Sequence, residues 1–108
     1  MADSAHLKLL RECVANWHAW RERHPDVVPD LSEANLQRFE LAGANLAKAD
    51  LSAASIMNAD LSRANLDEAD LVNADLRNSR LAEVSMKSAD MRSSTLGRAF
   101  FENADLTG

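Results

Sequence analysis

Residues 59–76 read Ala59-Asp60-Leu61-Ser62-Arg63, Ala64-Asn65-Leu66-Asp67-Glu68, Ala69-Asp70-Leu71-Val72-Asn73 and Ala74-Asp75-Leu76. A large apolar residue returns at every fifth place. Followed outward in both directions, the period runs without a miss through Leu31, Leu36, Leu41, Leu46, Leu51, Ile56, Leu61, Leu66, Leu71, Leu76, Leu81, Met86, Met91, Leu96, Phe101 and Leu106. An α-helix returns to one face every 3.6 residues and a strand every two, so a strict five requires a backbone that turns a corner once per unit.

Two places before each large residue stands a small one, as at Ala34, Ala44, Ala49, Ala54, Ala59, Ala64, Ala69, Ala74 and Ser79. One large and one small side chain can share a narrow interior, leaving three residues of each unit to face outward. Between them sits Asp, Asn, Ser or Thr in most units, types whose short side chains bond nearby backbone and favour turns. Val84 occupies an inward small slot, and Phe39 is a large residue in a slot otherwise kept small.

Ala44-Asn45-Leu46, Ala49-Asp50-Leu51, Ala59-Asp60-Leu61, Ala64-Asn65-Leu66, Ala69-Asp70-Leu71 and Ala74-Asp75-Leu76 resemble the A(D/N)LXX signature of the bacterial pentapeptide-repeat proteins. The resemblance covers residues 29–108. It implies an all-β solenoid, a right-handed quadrilateral β-helix in which four units make one square coil of twenty residues. Sixteen units would then give four coils, about 19 Å tall at the spacing of stacked strands. The leader from Trp17 to Ser32 also resembles the N-terminal segments of other such proteins.

Residues 1–28 follow a different rule. Leu7, Leu10, Val14, Trp17 and Trp20 fall at spacings of three and four, with Asp3 or Ser4 available as N-cap, so residues 4–23 read as one amphipathic helix ended by His24-Pro25. A β-helix needs a cover for the bare core and unpaired backbone of its first coil. The helix is read as that N-terminal cap, with Leu7, Leu10, Val14 and Trp17 laid over Leu31, Leu36, Phe39 and Leu41. Pro29 suits an extended lead-in.

At the other end Ala104-Asp105-Leu106-Thr107-Gly108 is a good repeat unit with no cap after it. Leu96, Phe100, Phe101 and Leu106 are therefore expected to form an apolar end, the candidate contact for an end-to-end homo-oligomer. Met57 and Val72 are apolar at slots expected to face water and are candidate contacts for a protein partner.

With twenty residues per coil, one outer face carries Asp30, Glu33, Asp50, Asp70 and Asp90 against Arg92 alone. The next carries Arg38, Arg77 and Arg98 against Asp75. The third sets Glu40, Asp60, Glu83 and Glu102 against Arg63 and Arg80; the fourth sets Asp67, Glu68 and Asp105 against Lys48 and Lys87. The column Asp30, Asp50, Asp70, Asp90 has two compatible readings. An Asp there accepts hydrogen bonds at a corner, and stacked carboxylates attract a cationic partner. Resemblance adds a third element, since family members associated with quinolone resistance mimic DNA in the channel of a type II topoisomerase.

The chain has 108 residues, 46% of them apolar, and a net charge of −5, which fits one domain and disfavours direct nucleic-acid binding. It contains no glycine-rich phosphate loop, no Cys-x-x-Cys and no HExxH, and His6, His18 and His24 cluster near the first helix. His18 reads as a cap or surface residue. No enzymatic activity, cofactor or metal is expected, and no membrane span or signal peptide is visible. Cys13 stands alone, read as a buried structural thiol in a cytoplasmic protein. A rigid protein-interaction module follows as the expected function, with DNA mimicry as the alternative.

Overall fold

The computed structural model describes residues 2–106. Parallel backbone bridges join Asp30 to Asp50, Asp50 to Asp70 and Asp70 to Asp90, and the same twenty-residue step recurs in the columns beginning at Asn35, Glu40 and Asn45. One coil is therefore four pentapeptides, with one bridged column on each of four faces. Between coils the Leu31 N–H donates to the Asp50 carbonyl at 2.8 Å, and the Asp50 N–H donates down to the Pro29 carbonyl at 2.9 Å.

The fold is a β-helix solenoid, with a correction in detail. Each face holds a single bridged residue between turns, and among the described residues no longer strand forms. The cause is arithmetic. Each unit devotes four residues to a turn closed by a bond such as Ala34 N–H to Leu31 carbonyl, 3.1 Å. Fifteen consecutive corners carry a positive φ, from Glu33 at 59° to Asn103 at 58°, and only Gly43 among them is glycine. A left-handed residue in the third place of a four-residue turn is the requirement of a type II turn. Arg38, Lys48, Ala53, Arg63, Glu68, Glu83 and Arg98 accept that conformation without glycine's freedom, at roughly 1 kcal/mol each.

The residue before each large one offsets part of that cost. Asp30, Asn35, Asn45, Asp50, Asp60, Asn65, Asp70, Asp75 and Asp90 each accept, through Oδ1, the backbone N–H two residues on. Where Ser85 stands in that slot, Asp67 of the coil below substitutes, accepting from the Lys87 N–H at 2.9 Å and the Ser85 hydroxyl at 2.5 Å. These bonds favour the ionised carboxylate. Asp75 is pulled down to about 2, chiefly by the Arg77 side chain and then by the Arg77 N–H and Thr95 hydroxyl. Asp60 is lowered by the Ser62 N–H, and Asp30 by the Ser32 hydroxyl and N–H.

Inside, Leu31, Leu36, Leu41, Leu46, Leu51, Ile56, Leu61, Leu66, Leu71, Leu76 and Leu81 are fully buried, interleaved with the alanines, Ser79 and Val84. Burial fades in the last coil, where Met91, Phe101 and the neighbouring alanines are only half-buried. Pro29 is buried in the first small slot. At other small slots the N–H closes the preceding turn, and before Pro29 there is no such turn to close.

The cap is two helices, not one. α1 spans Ser4–Glu12 and α2 spans Val14–Arg23, with Cys13 extended between them at φ −176° and ψ 160°. Asp3 is the N-cap of α1, and the Cys13 sulfur accepts the Asn16 N–H at 3.4 Å as N-cap of α2. A straight twenty-residue helix would be about 30 Å long, whereas the whole molecule is only 23 × 22 Å across. The break folds the cap within that width, and the His6 ring packs on Trp20 at 4.6 Å to join the two helices. Cys13 is consequently exposed, contrary to the buried thiol expected from the sequence.

Two stability measurements follow. At Gly43, φ is +73° and a Cβ would meet nothing within 4 Å, so substitution there isolates backbone strain from packing. Gly43→Asn should be nearly neutral and Gly43→Val should cost roughly 1–3 kcal/mol in urea unfolding; equal stabilities for the two variants would reject the corner argument. For Asp75, a depressed folded value means its stabilisation is complete above about pH 4 and is lost as pH falls towards 2. The stability difference between wild type and Asp75→Asn should hold constant above pH 5 and shrink below pH 4.

Candidate interaction surfaces

The parallel bridges stack Asp30, Asp50, Asp70 and Asp90 in one column, one per coil. Each carboxylate is also a turn cap. Asp30 and Asp50 accept from the N–H and hydroxyl of Ser32 and Ser52, and Asp70 accepts from the Val72 N–H. Asp90 is held by Arg92 in a two-pronged pair, Nη2–Oδ2 2.7 Å and Nε–Oδ1 2.9 Å, and the Arg92 side chain holds its carboxyl below the usual range. The column's negative charge is thus concentrated on the coils of Asp30, Asp50 and Asp70.

On the next face Arg77 is tied in the same way to Asp75, Nη2–Oδ2 2.7 Å. Its Nη2 also points to the Met57 sulfur at 3.6 Å in the coil below. Met57 and Val72, expected to face water, are half-buried. The first outward slot after each large residue is flanked by the same slot twenty residues before and after, so a side chain there is partly covered by its neighbours. The two lie on different faces, Met57 after Ile56 and Val72 after Leu71.

At the C-terminal end Phe100 is 62% exposed, Leu106 51% and Leu96 37%, while Phe101 is half-buried against the core. The backbone there is open too. In lower coils the N–H of the large residue donates to the coil above, as Leu71 does to the Asp90 carbonyl at 2.7 Å. No coil lies above Met91, Leu96 and Phe101 among the described residues.

The N-terminal end is closed by the apolar residues expected of the cap and, beside them, by polar side chains that the spacing of the sequence does not single out. Trp17 and Leu10 are buried on the first coil, with Leu7, Val14, Leu9 and Trp20 half-buried beside them. His6 Nδ1 accepts the Asp30 N–H at 2.9 Å, and the Asp3 N–H donates to the Asp30 carbonyl at 2.9 Å. One column away, His18 Nε2 accepts the Asn45 N–H at 2.9 Å. Trp17 Nε1 and Arg21 Nη1 donate to the Asn45 carbonyl at 2.8 and 2.9 Å, and Arg21 Nη2 to the Ala47 carbonyl at 3.0 Å. The cap therefore imitates a preceding coil at two of the four columns. Burial pulls the Arg21 guanidinium below its ordinary range. Arg11 adds a cation–π contact, 5.8 Å from the Phe39 ring centroid.

Concave features are shallow. One depression of ≈ 600 Å³ lies along a corner lined by Arg38, Asn58, Asp60, Asn78 and Arg80, and one of ≈ 400 Å³ lies between α2 and the first coil, lined by His18, Arg21, Glu22, Pro25 and Asn45. Among the described residues no group of three His, Cys, Asp or Glu is placed to hold a metal ion, and no helix is long and apolar enough to cross a membrane.

Comparison with solved structures finds pentapeptide-repeat proteins of cyanobacteria. The chain is similar to Rfr23 from Cyanothece 51142, at 28% identity and a TM-score of 0.69, over 70% of this chain and 52% of that one. It thus spans about half the length of that protein. Two further similarities, both to proteins of Nostoc PCC 7120, superpose less well. Alr5209 gives 28% identity and a TM-score of 0.41 over 76% of this chain and 72% of that one. HetL, a protein involved in regulating heterocyst differentiation, gives 27% identity and a TM-score of 0.28 over 69% of this chain and 48% of that one. No curated protein sequence matches the chain. A sequence model described as pentapeptide repeats in eight copies matches residues 30–63 and 59–97. With the five-residue period, the twenty-residue bridges and this match in agreement, the chain belongs to the pentapeptide-repeat family.

Proposed function

We propose that the chain is a rigid, non-catalytic interaction module of the cytoplasm, a right-handed square solenoid that engages other proteins through its end and its side-chain columns. The observation that carries this reading is the apolar far edge of the last described coil, with Phe100, Leu106 and Leu96 exposed beside Phe101. Its occupant is a second copy of the chain. Two identical ends related by a two-fold axis bury the same four side chains on each side and close the assembly. Met57 and Val72 are secondary contacts for a protein partner.

Absence of catalysis is supported by the direction of the carboxylate shifts. Asp30, Asp60, Asp75 and Asp90 are all held below their ordinary range, away from the near-neutral values that acid–base catalysis uses. The depression that Asp60 lines is shallow and open to water, unlike the dry pocket that shields a substrate.

A second reading, mimicry of DNA towards a type II topoisomerase, has one observation in its favour: a carboxylate on every coil of one column, from Asp30 to Asp90. Such a mimic competes for a phosphate-binding channel by its charge. The basic neighbouring face and the Arg92 pair oppose it.

Light scattering on a size-exclusion column should give a dimer for the wild type and a monomer for Phe100→Asp, with unchanged circular dichroism. A wild type that stays monomeric at high concentration would remove the end-to-end contact. For mimicry, the triple variant Asp50, Asp70, Asp90→Lys should lose any inhibition of DNA supercoiling shown by the wild type; full inhibition by that variant would reject the assignment of the column.

A further inference from the structure

The two bonds that imidazoles make to the first coil have a property that the other bonds of the cap lack. A ring nitrogen accepts a hydrogen bond only while the ring is neutral. His6 Nδ1 and His18 Nε2 receive the outward N–H groups of Asp30 and Asn45, each at 2.9 Å. In the inner coils the same N–H groups go to a backbone carbonyl, as Asp50 does to Pro29 and Asn65 to Ala44, both at 2.9 Å. A carbonyl accepts at every pH. Protonation of either ring turns its acceptor into a donor that confronts a backbone donor, so a bond is replaced by a repulsion.

The groups around the two rings set how each responds. His6 is 9% exposed and faces the Asp3 carboxylate through its other nitrogen, Nε2–Oδ2 3.6 Å. It also lies near the Asp30 carboxylate and packs on Trp20, which in turn contacts His24 at 5.4 Å. Asp3 faces the proton already on Nε2, whereas a second proton, added at Nδ1, would confront the Asp30 N–H. His18 shares its surroundings with Arg21 and Glu22, charges of opposite sign on the same helix. The remaining cap-to-coil donors, Trp17 Nε1, the Arg21 guanidinium and the Asp3 backbone N–H, do not titrate near neutrality.

We propose that the two helices are an acid-responsive latch: protonation of His6 and His18 loosens α1 and α2 from the first coil and uncovers Leu31, Leu36 and Leu41 together with the backbone edge at Asp30 and Asn45. The sign is fixed by the acceptor role. The latch is closed while both rings are neutral and opens as falling pH adds a proton to them. Loss of Asp75 stabilisation below pH 4 is a separate event, read on Asp75→Asn. Opening exposes the start of the solenoid while the coils above keep their own ladders, because those bonds run between backbone groups only.

Native-state hydrogen exchange of the intact protein tests the latch, comparing the Asp30 and Asn45 amides with the Asp50 and Asn65 amides of the next coil as internal references. After correction for intrinsic rates, protection of Asp30 and Asn45 should fall at least about tenfold between pH 7.5 and 5.5, with the references unchanged. Trp17 and Trp20 are the chain's two tryptophans and both lie in the cap, so a red shift of emission should accompany the loss. In the double variant His6→Gln, His18→Gln an amide oxygen can accept at any pH, and protection should become independent of pH over this range. Wild-type protection ratios that stay constant within about twofold would overturn the proposal, as would an undiminished drop in the glutamine variant.

Discussion

The backbone of each coil lands on the backbone of the next only because every fifth residue is left-handed. That constraint precedes the core. If the corners opened, leucine and alanine would still be apolar, but residue i would no longer lie over residue i + 20 and the inter-coil bonds would have no partners. The burial of eleven large side chains to near zero exposure is a result of this registration as much as its cause. Asx bonds at the corners bias the chain towards it locally, and the stacked bonds then hold it over long range.

A structure built this way has two ends with the same problem and different solutions. At the first coil, a helix pair supplies both apolar cover and counterfeit backbone, with imidazole nitrogens in place of carbonyl oxygens and indole and guanidinium N–H in place of amides. The imitation reaches the columns of Asp30 and Asn45. At the last described coil, neither cover nor substitute is present among the described residues, and aromatic side chains take water contact instead.

The period of five made a cornered solenoid and its inward residues legible, because both depend on spacing alone, whereas the twenty-residue coil was implied by the family resemblance and is shown by the bridges. Three features were not legible, for physical reasons. The break at Cys13 leaves the spacing of Leu7, Leu10, Val14 and Trp17 intact, so a search for one apolar face sees a continuous helix; the limited width of the solenoid forces the break. The left-handed corners are occupied by Glu, Arg, Lys and Ala as well as Asn, so composition at that slot carries no glycine signal. His6 and Arg21 owe their roles to contacts across 24 residues or more, which no local pattern encodes. Among candidate surface residues, Met57 and Val72 were placed correctly in the outward slots but not in their exposure, since neighbours in the column cover them.

The bridge between residue i and residue i + 20 also limits how such a chain can change in length. Gain or loss of one residue turns every later inward side chain outward. A change of five keeps leucines inside but moves every later residue to the adjacent face, dissolving the Asp30 to Asp90 column and the Asp75–Arg77–Met57 stack together. Only a change of a whole coil leaves the columns in register. Length in this architecture is quantised, and a surface spelled out in columns can be inherited intact only through duplications or losses of twenty residues.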